Sequence, residues 1–105
     1  MFFKMNRTYR ELSLWRRIGD NQAVNFRCFE EIESHLFCVQ SADFYTLPLR
    51  ADVGAGFDRQ FVELFIEIEP IDRSDWFATV EEAIAAHEEK FRSMADSIAA
   101  REKKI

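Results

Sequence analysis

The chain has 105 residues, 48% of them hydrophobic, with 19 acidic against 14 basic side chains and a formal net charge of -5. That length suits one domain and is too short for two independent cores, and the apolar content excludes a disordered chain. The acidic balance counts against duplex nucleic acid or an anionic membrane surface as partner, because binding phosphate draws on a basic face. Two cysteines, Cys28 and Cys38, are fewer than a secreted disulfide scaffold of this size carries. Met1 to Arg10 contains Phe2 and Phe3 but no apolar run of signal-peptide type, and nothing approaches the length of a membrane span. A cytoplasmic protein without a membrane association is expected, with both thiols reduced.

Residues 1–8 read as a frayed start to a single domain spanning 1–105. From Tyr9 to Ile18 residue types alternate, with Leu12, Leu14 and Ile18 on one side and Tyr9, Ser13, Trp15 and Arg17 on the other, which is a strand pattern. Gly19-Asp20-Asn21 is a turn signal. A second strand runs from about Ala23 to Glu31, with Val24, Phe26 and Cys28 opposite Asn25, Arg27 and Phe29. After a break at Glu33-Ser34 a third strand, about His35 to Phe44, puts Leu36 and Cys38 on one face and Phe37, Val39 and Ser41 on the other. The three segments read as an antiparallel meander.

Residues 46–60 contain Pro48 and Gly54-Ala55-Gly56 and read as a loop. Neither a dinucleotide fingerprint nor a Walker A motif accompanies the glycines, which read as turn residues. Residues 61–69 alternate strictly, with Val62, Leu64, Ile66 and Ile68 facing one way and Phe61, Glu63, Phe65 and Glu67 the other, and predict a fourth strand ended by Pro70. A helix competes there, since Phe61, Phe65 and Ile68 also share helical spacing. Thr79 followed by Glu82 is a capping-box pattern. It opens a helix over 80–102, with an apolar series at Val80, Ile84, His87, Phe91, Met94 and Ile98. The fold class expected is therefore α+β, a four-stranded, mainly antiparallel sheet with one long C-terminal helix on one face.

In that arrangement Leu14 pairs with Phe26, Leu12 with Cys28 and Cys28 with Cys38. An aliphatic face suits the helix. The opposite face gathers Trp15, Phe29, Phe37, Val39, Phe61 and Phe65, among Arg17, Arg27, Glu63 and Glu67. Large aromatics mixed with arginine fit an interface, and a second copy of the chain is the expected cover. The competing cover is the 46–60 segment itself, folding back Leu47, Leu49, Val53 and Phe57. On the helix, Ile84, Phe91, Ile98 and Ile105 beside Val80, His87, Met94 and Arg101 read first as a stripe packed on the sheet and, in competition with that, as a short heptad seam; the last turns beyond Ile98 can project past the sheet toward a partner.

Catalytic signatures are absent from the sequence pattern. Cys28 and Cys38 lack redox-motif spacing and further metal donors, and read as small buried apolar groups. His35 and His87 stand alone, with no nucleophile at triad-like spacing. No cofactor and no metal is expected. Gln40, Asp43 and Tyr45, at a strand end beside the long loop, form the one candidate ligand mouth, with Asp43 as the acid or base if chemistry occurs. Trp15, Arg17, Arg27 and Phe29 could stack single-stranded nucleic acid, although Glu63 and Glu67 on the same expected face would repel phosphates. The function expected is a non-enzymatic, self-associating protein-interaction module.

Overall fold

The structure, a computed structural model, describes residues 7–102, with side chains from 7 to 92. Strand β1 (Tyr9–Ile18), β2 (Gln22–Glu31) and β3 (Phe37–Thr46) form a three-stranded antiparallel meander. Helix α1 (Val53–Glu67), a short α2 (Pro70–Arg73) and α3 (Val80–Glu102) follow. The α+β class and the meander stand; the fourth strand and the single helix do not. Of the frayed start, Arg7 and Thr8 are tied down, the Ile32 amide donating to the Thr8 carbonyl at 3.0 Å; residues 1–6 lie outside the described residues.

The first hairpin forms as its sequence dictates. Residues 19–21 close it, with Gly19 at φ 62, a left-handed conformation that glycine adopts without a Cβ clash. Leu12 faces Cys28 and Leu14 faces Phe26. The second hairpin departs from the expected register. A bulge between Arg27 and Cys28 sets Arg27 opposite Ser41 but Cys28 opposite Val39, so one residue of β3, Gln40, is extra. Past that point every side chain of β3 changes face. Cys28 therefore does not pair with Cys38. Cys28 packs with Val24, Phe26, Val39 and Ile84 on the α3 side, whereas Cys38 packs with Phe29 and Phe61 on the other. Both thiols are free and buried, and burial pushes them up, to about 12 for Cys28 and about 11 for Cys38.

Residues 61–67 are helical because the phenylalanines, not the aliphatic alternation, find the core. Phe57, Phe61 and Phe65 recur every fourth residue and face the sheet. Phe61 is 8% exposed, while Ile66 on the outer surface is 76% exposed. Gly54 and Gly56 sit in the first turns of α1 rather than in a loop. Pro70 at the first position of α2 starts that helix where its missing amide is harmless. Phe77 then forms an antiparallel bridge with Phe37, each amide donating to the other's carbonyl at 2.8 Å, which seals one end of the β3 edge. At the start of α3 the expected cap forms: the Glu82 amide donates to Thr79 Oγ1 at 3.1 Å. On the surface of α3, Arg92 pairs with Glu89 and Glu88 with Arg16.

Phe61→Ala is expected to destabilise the fold by about 3 kcal/mol and Ile66→Ala by less than about 0.5 kcal/mol, measured by denaturant unfolding. Equal losses at both positions would contradict the helix. A Cβ added at Gly56 meets nothing within 4 Å, so Gly56→Ala is expected to raise stability by about 0.5 kcal/mol or more through helix propensity.

Candidate functional site

The aromatic face of the sheet is covered by α1 of the same chain. Its residues do not all lie where the alternation put them. Phe61 and Phe65 stand on α1, and Val39 and Phe37 turn to the opposite face beyond the bulge. Phe29 is buried, its ring 5.3 Å from Phe61 and 5.1 Å from Phe65, so it offers no surface for stacking a base. Trp15 is exposed and packs against Tyr45 at 5.4 Å. Arg17 is exposed near the first turn.

Arg27 is the polar centre of this layer. Its guanidinium carbon lies 3.8 Å from the centre of the Phe61 ring, a cation–π contact. Its nitrogens reach Asp58 at 2.9 Å, Glu11 at 3.2 Å and Asp43 at 4.0 Å. The acids expected beside it, Glu63 and Glu67, are exposed on α1 instead. Arg27 is thus shared between both neighbouring strands and the helix above, leaving little of it to meet an external phosphate.

The expected mouth is brought together only in part. Asp43 and Tyr45 share the face beneath the first half of α1, where Tyr45 sits 5.2 Å from Phe57. Asp43 is buried, and its Oδ2 has no hydrogen-bond partner. Burial holds its carboxyl above the usual carboxylate range, with Arg27 acting in the opposite sense and Asp58 adding to the rise. Tyr45 is raised for the same reasons, burial first and then Asp43. Gln40 takes a separate place at the bulge, donating from Nε2 to the Phe61 carbonyl at 3.2 Å. A shallow concavity does lie at the start of the 46–60 segment, between Trp15, Tyr45, Leu47 and Leu49, but Asp43 does not line it.

On the other face a more apolar depression opens. α3 begins over the middle of the sheet, with Ile84 on Val24, Phe26 and Cys28, and reaches the β3 side at Phe91, 6.5 Å from Phe44. Ile18, Val24 and Phe26 are left as one wall of a groove of about 460 Å³, with His87 and Phe91 as the other. Phe44 and Phe91 remain 43% and 60% exposed. Arg16 closes one side, lying 5.3 Å from the Phe26 ring and paired with Glu88. His87 meets Phe26 edge-on at 6.4 Å, and burial lowers its pKa, favouring the neutral imidazole. Sequence reasoning placed Phe91 on the helix stripe but gave Phe44 no role; an apolar residue two positions before a strand's end was the available signal.

Among the described residues no helix is long and apolar enough to cross a membrane, and no group of three or more His, Cys, Asp or Glu is placed to hold a metal ion. Comparison with protein-family models, with curated proteins and with solved structures finds no match.

Because the folded state raises the pKa of Asp43, the native form binds its proton more tightly than the unfolded chain does. This group therefore lowers stability as pH rises from its ordinary pKa through the raised one. Asp43→Asn is expected to stabilise the fold near pH 7, with the gain shrinking toward pH 4. Urea unfolding of both proteins across that range measures it; a gain that grows on acidification would reverse the assignment.

Proposed function

We propose that this chain is a non-enzymatic interaction protein that pairs with a second copy of itself through the groove between α3 and the sheet. The observation that carries the reading is the length of α3 relative to the strand it follows. Phe91 lies beside Phe44, and β3 ends at Thr46 while α3 continues to Glu102. Two strand residues cover about 7 Å and eleven helical residues about 16 Å, so α3 overruns the strand by roughly 10 Å. The sequence of that overrun continues the apolar series of Ile84, His87 and Phe91 with Met94 and Ile98.

A chain that carries both an unfilled apolar groove and an overrunning apolar helix stripe at one end is self-complementary. A two-fold pairing lays the stripe of each copy across the groove of the other and buries the same patch twice. Two exposed aromatics at the centre, with Arg16 and Arg92 at the rim, match the make-up of such contacts. The pairing lies on the face opposite Arg27 and α1, so it leaves that layer undisturbed.

Light scattering during size-exclusion chromatography is expected to give about twice the 12.4 kDa chain mass. Phe91→Glu and Phe44→Glu, both at exposed positions, are expected to give monomers with unchanged circular dichroism. Ile66→Glu, at a more exposed position on α1, is expected to keep the wild-type mass. A wild-type protein that stays monomeric at high micromolar concentration would overturn the reading.

A further inference from the structure

Strand β1 has one hydrogen-bonded neighbour, β2, and its other edge is open. Which backbone groups face that edge follows from the ladder. The Thr8 carbonyl accepts from the Ile32 amide, and the register then runs unbroken from Tyr9 opposite Glu31 to Ile18 opposite Gln22. Antiparallel pairing alternates, so the even-numbered residues bond to β2 and the odd-numbered ones point away from it. The N–H and C=O groups of Glu11, Ser13, Trp15 and Arg17 therefore project from the edge. All four residues are exposed, and none of these groups bonds to other backbone among the described residues.

The far edge of the sheet is protected. Phe77 bridges to Phe37 on β3, and both α1 and α3 approach β3 more closely than they approach β1. Folded chains usually blunt a long edge with a proline, a bulge or a covering segment. β1 is ten residues long and contains neither proline nor bulge. Its guard is charge. Arg10, Arg16 and Arg17 stand against Glu11, in a chain whose net charge is -5. Two such edges side by side would gather six arginines against two glutamates, and Arg27 already holds each glutamate at 3.2 Å. Like charges across a strand pair oppose it, so a second copy is a poor occupant.

The same charges attract an acidic strand. Arg17 takes part in no ion pair among the described residues. Leu12 and Leu14 on the α3 side, and Trp15 on the α1 side at 63% exposure, offer apolar contacts to the alternating side chains of an added strand. We propose that the β1 edge is a docking site for an extended acidic peptide segment of another protein, which joins the sheet as a fourth, antiparallel strand. Its carboxylates lie opposite Arg16 and Arg17, and its apolar residues opposite Trp15, Leu14 and Leu12. Neither Phe44 nor Phe91 belongs to this edge, so docking does not rest on the pairing proposed above.

Calorimetric titration of the full chain with the capped peptide Glu-Glu-Val-Val-Thr-Val-Thr-Glu tests the assignment, its first residue set opposite Arg17 and its last opposite Arg10. Saturable binding is expected, and replacing the three glutamates by lysine is expected to abolish it. In this register the third and fifth peptide amides bond to β1, while the fourth and sixth point away. N-methylation of the first pair is expected to weaken binding at least about tenfold, and of the second pair less than about threefold. Arg17→Glu, at an exposed position, is expected to weaken it about tenfold, whereas Phe91→Glu binds the peptide as the wild type does. No binding at about 1 mM peptide would overturn the proposal. So would equal losses from the two methylation patterns, or binding untouched by Arg17→Glu. A wild-type protein that grows beyond two copies without peptide, through β1, would assign the edge to the chain itself instead.

Discussion

β2 is hydrogen-bonded along both edges and buried on both faces, and this double burial constrains everything else in the chain. Val24, Phe26 and Cys28 need cover on one side; Phe29 needs it on the other. A single helix cannot lie on both. A fourth strand would have widened the sheet while leaving Phe29 and Cys38 bare, so the only way to complete the second core is for residues 53–67 to cross over the sheet as a helix. Two small cores result, one under α3 and one under α1, with the sheet between them.

The α1 layer is tied together by polar side chains that reach from one element to another. Arg27 joins β1 through Glu11 and α1 through Asp58, while the Phe61 ring lies against its guanidinium. Tyr9 stacks on Trp76 and donates its hydroxyl to Glu69 at 2.5 Å, linking the first strand to the residue that leads into α2. Glu31 plays the matching part at the β2–β3 turn. It is fully buried and accepts from the amides of Glu33 at 2.8 Å and Ser34 at 3.1 Å, which orders the turn where His35 takes φ 58. Those donors keep its carboxyl below the usual range, so this contribution is present at neutral pH and is lost as pH falls.

Local chemistry was legible in the residues wherever it was sufficient by itself. The Gly19 turn, the Leu12–Cys28 and Leu14–Phe26 pairs and the Thr79 cap each depend on neighbours within one hairpin or one helical turn. Residues 61–68 were not decidable in that way. Val62, Leu64, Ile66 and Ile68 satisfy a strand period, Phe57, Phe61 and Phe65 satisfy a helical one, and the bare aromatic face of a distant sheet chooses between them. The bulge was invisible for a similar reason. A one-residue insertion leaves no compositional mark in β3, yet it decides which face Val39 and Cys38 occupy. The groove between Phe44 and Phe91 is a product of tertiary placement and has no motif.

The same inserted residue also sets the redox chemistry open to the chain. Adjacent strands normally let two facing thiols approach within bridging range, but here Cys28 opposes Val39 and Cys38 opposes Phe29. The two Cβ vectors leave the sheet in opposite directions, a geometry that no disulfide can span without moving backbone. Parity along β3 thus works as insulation against oxidation. Each sulfur is confined to its own core, held as a protonated thiol by burial, and the fold gains or loses no covalent link when its surroundings pass from reducing to oxidising.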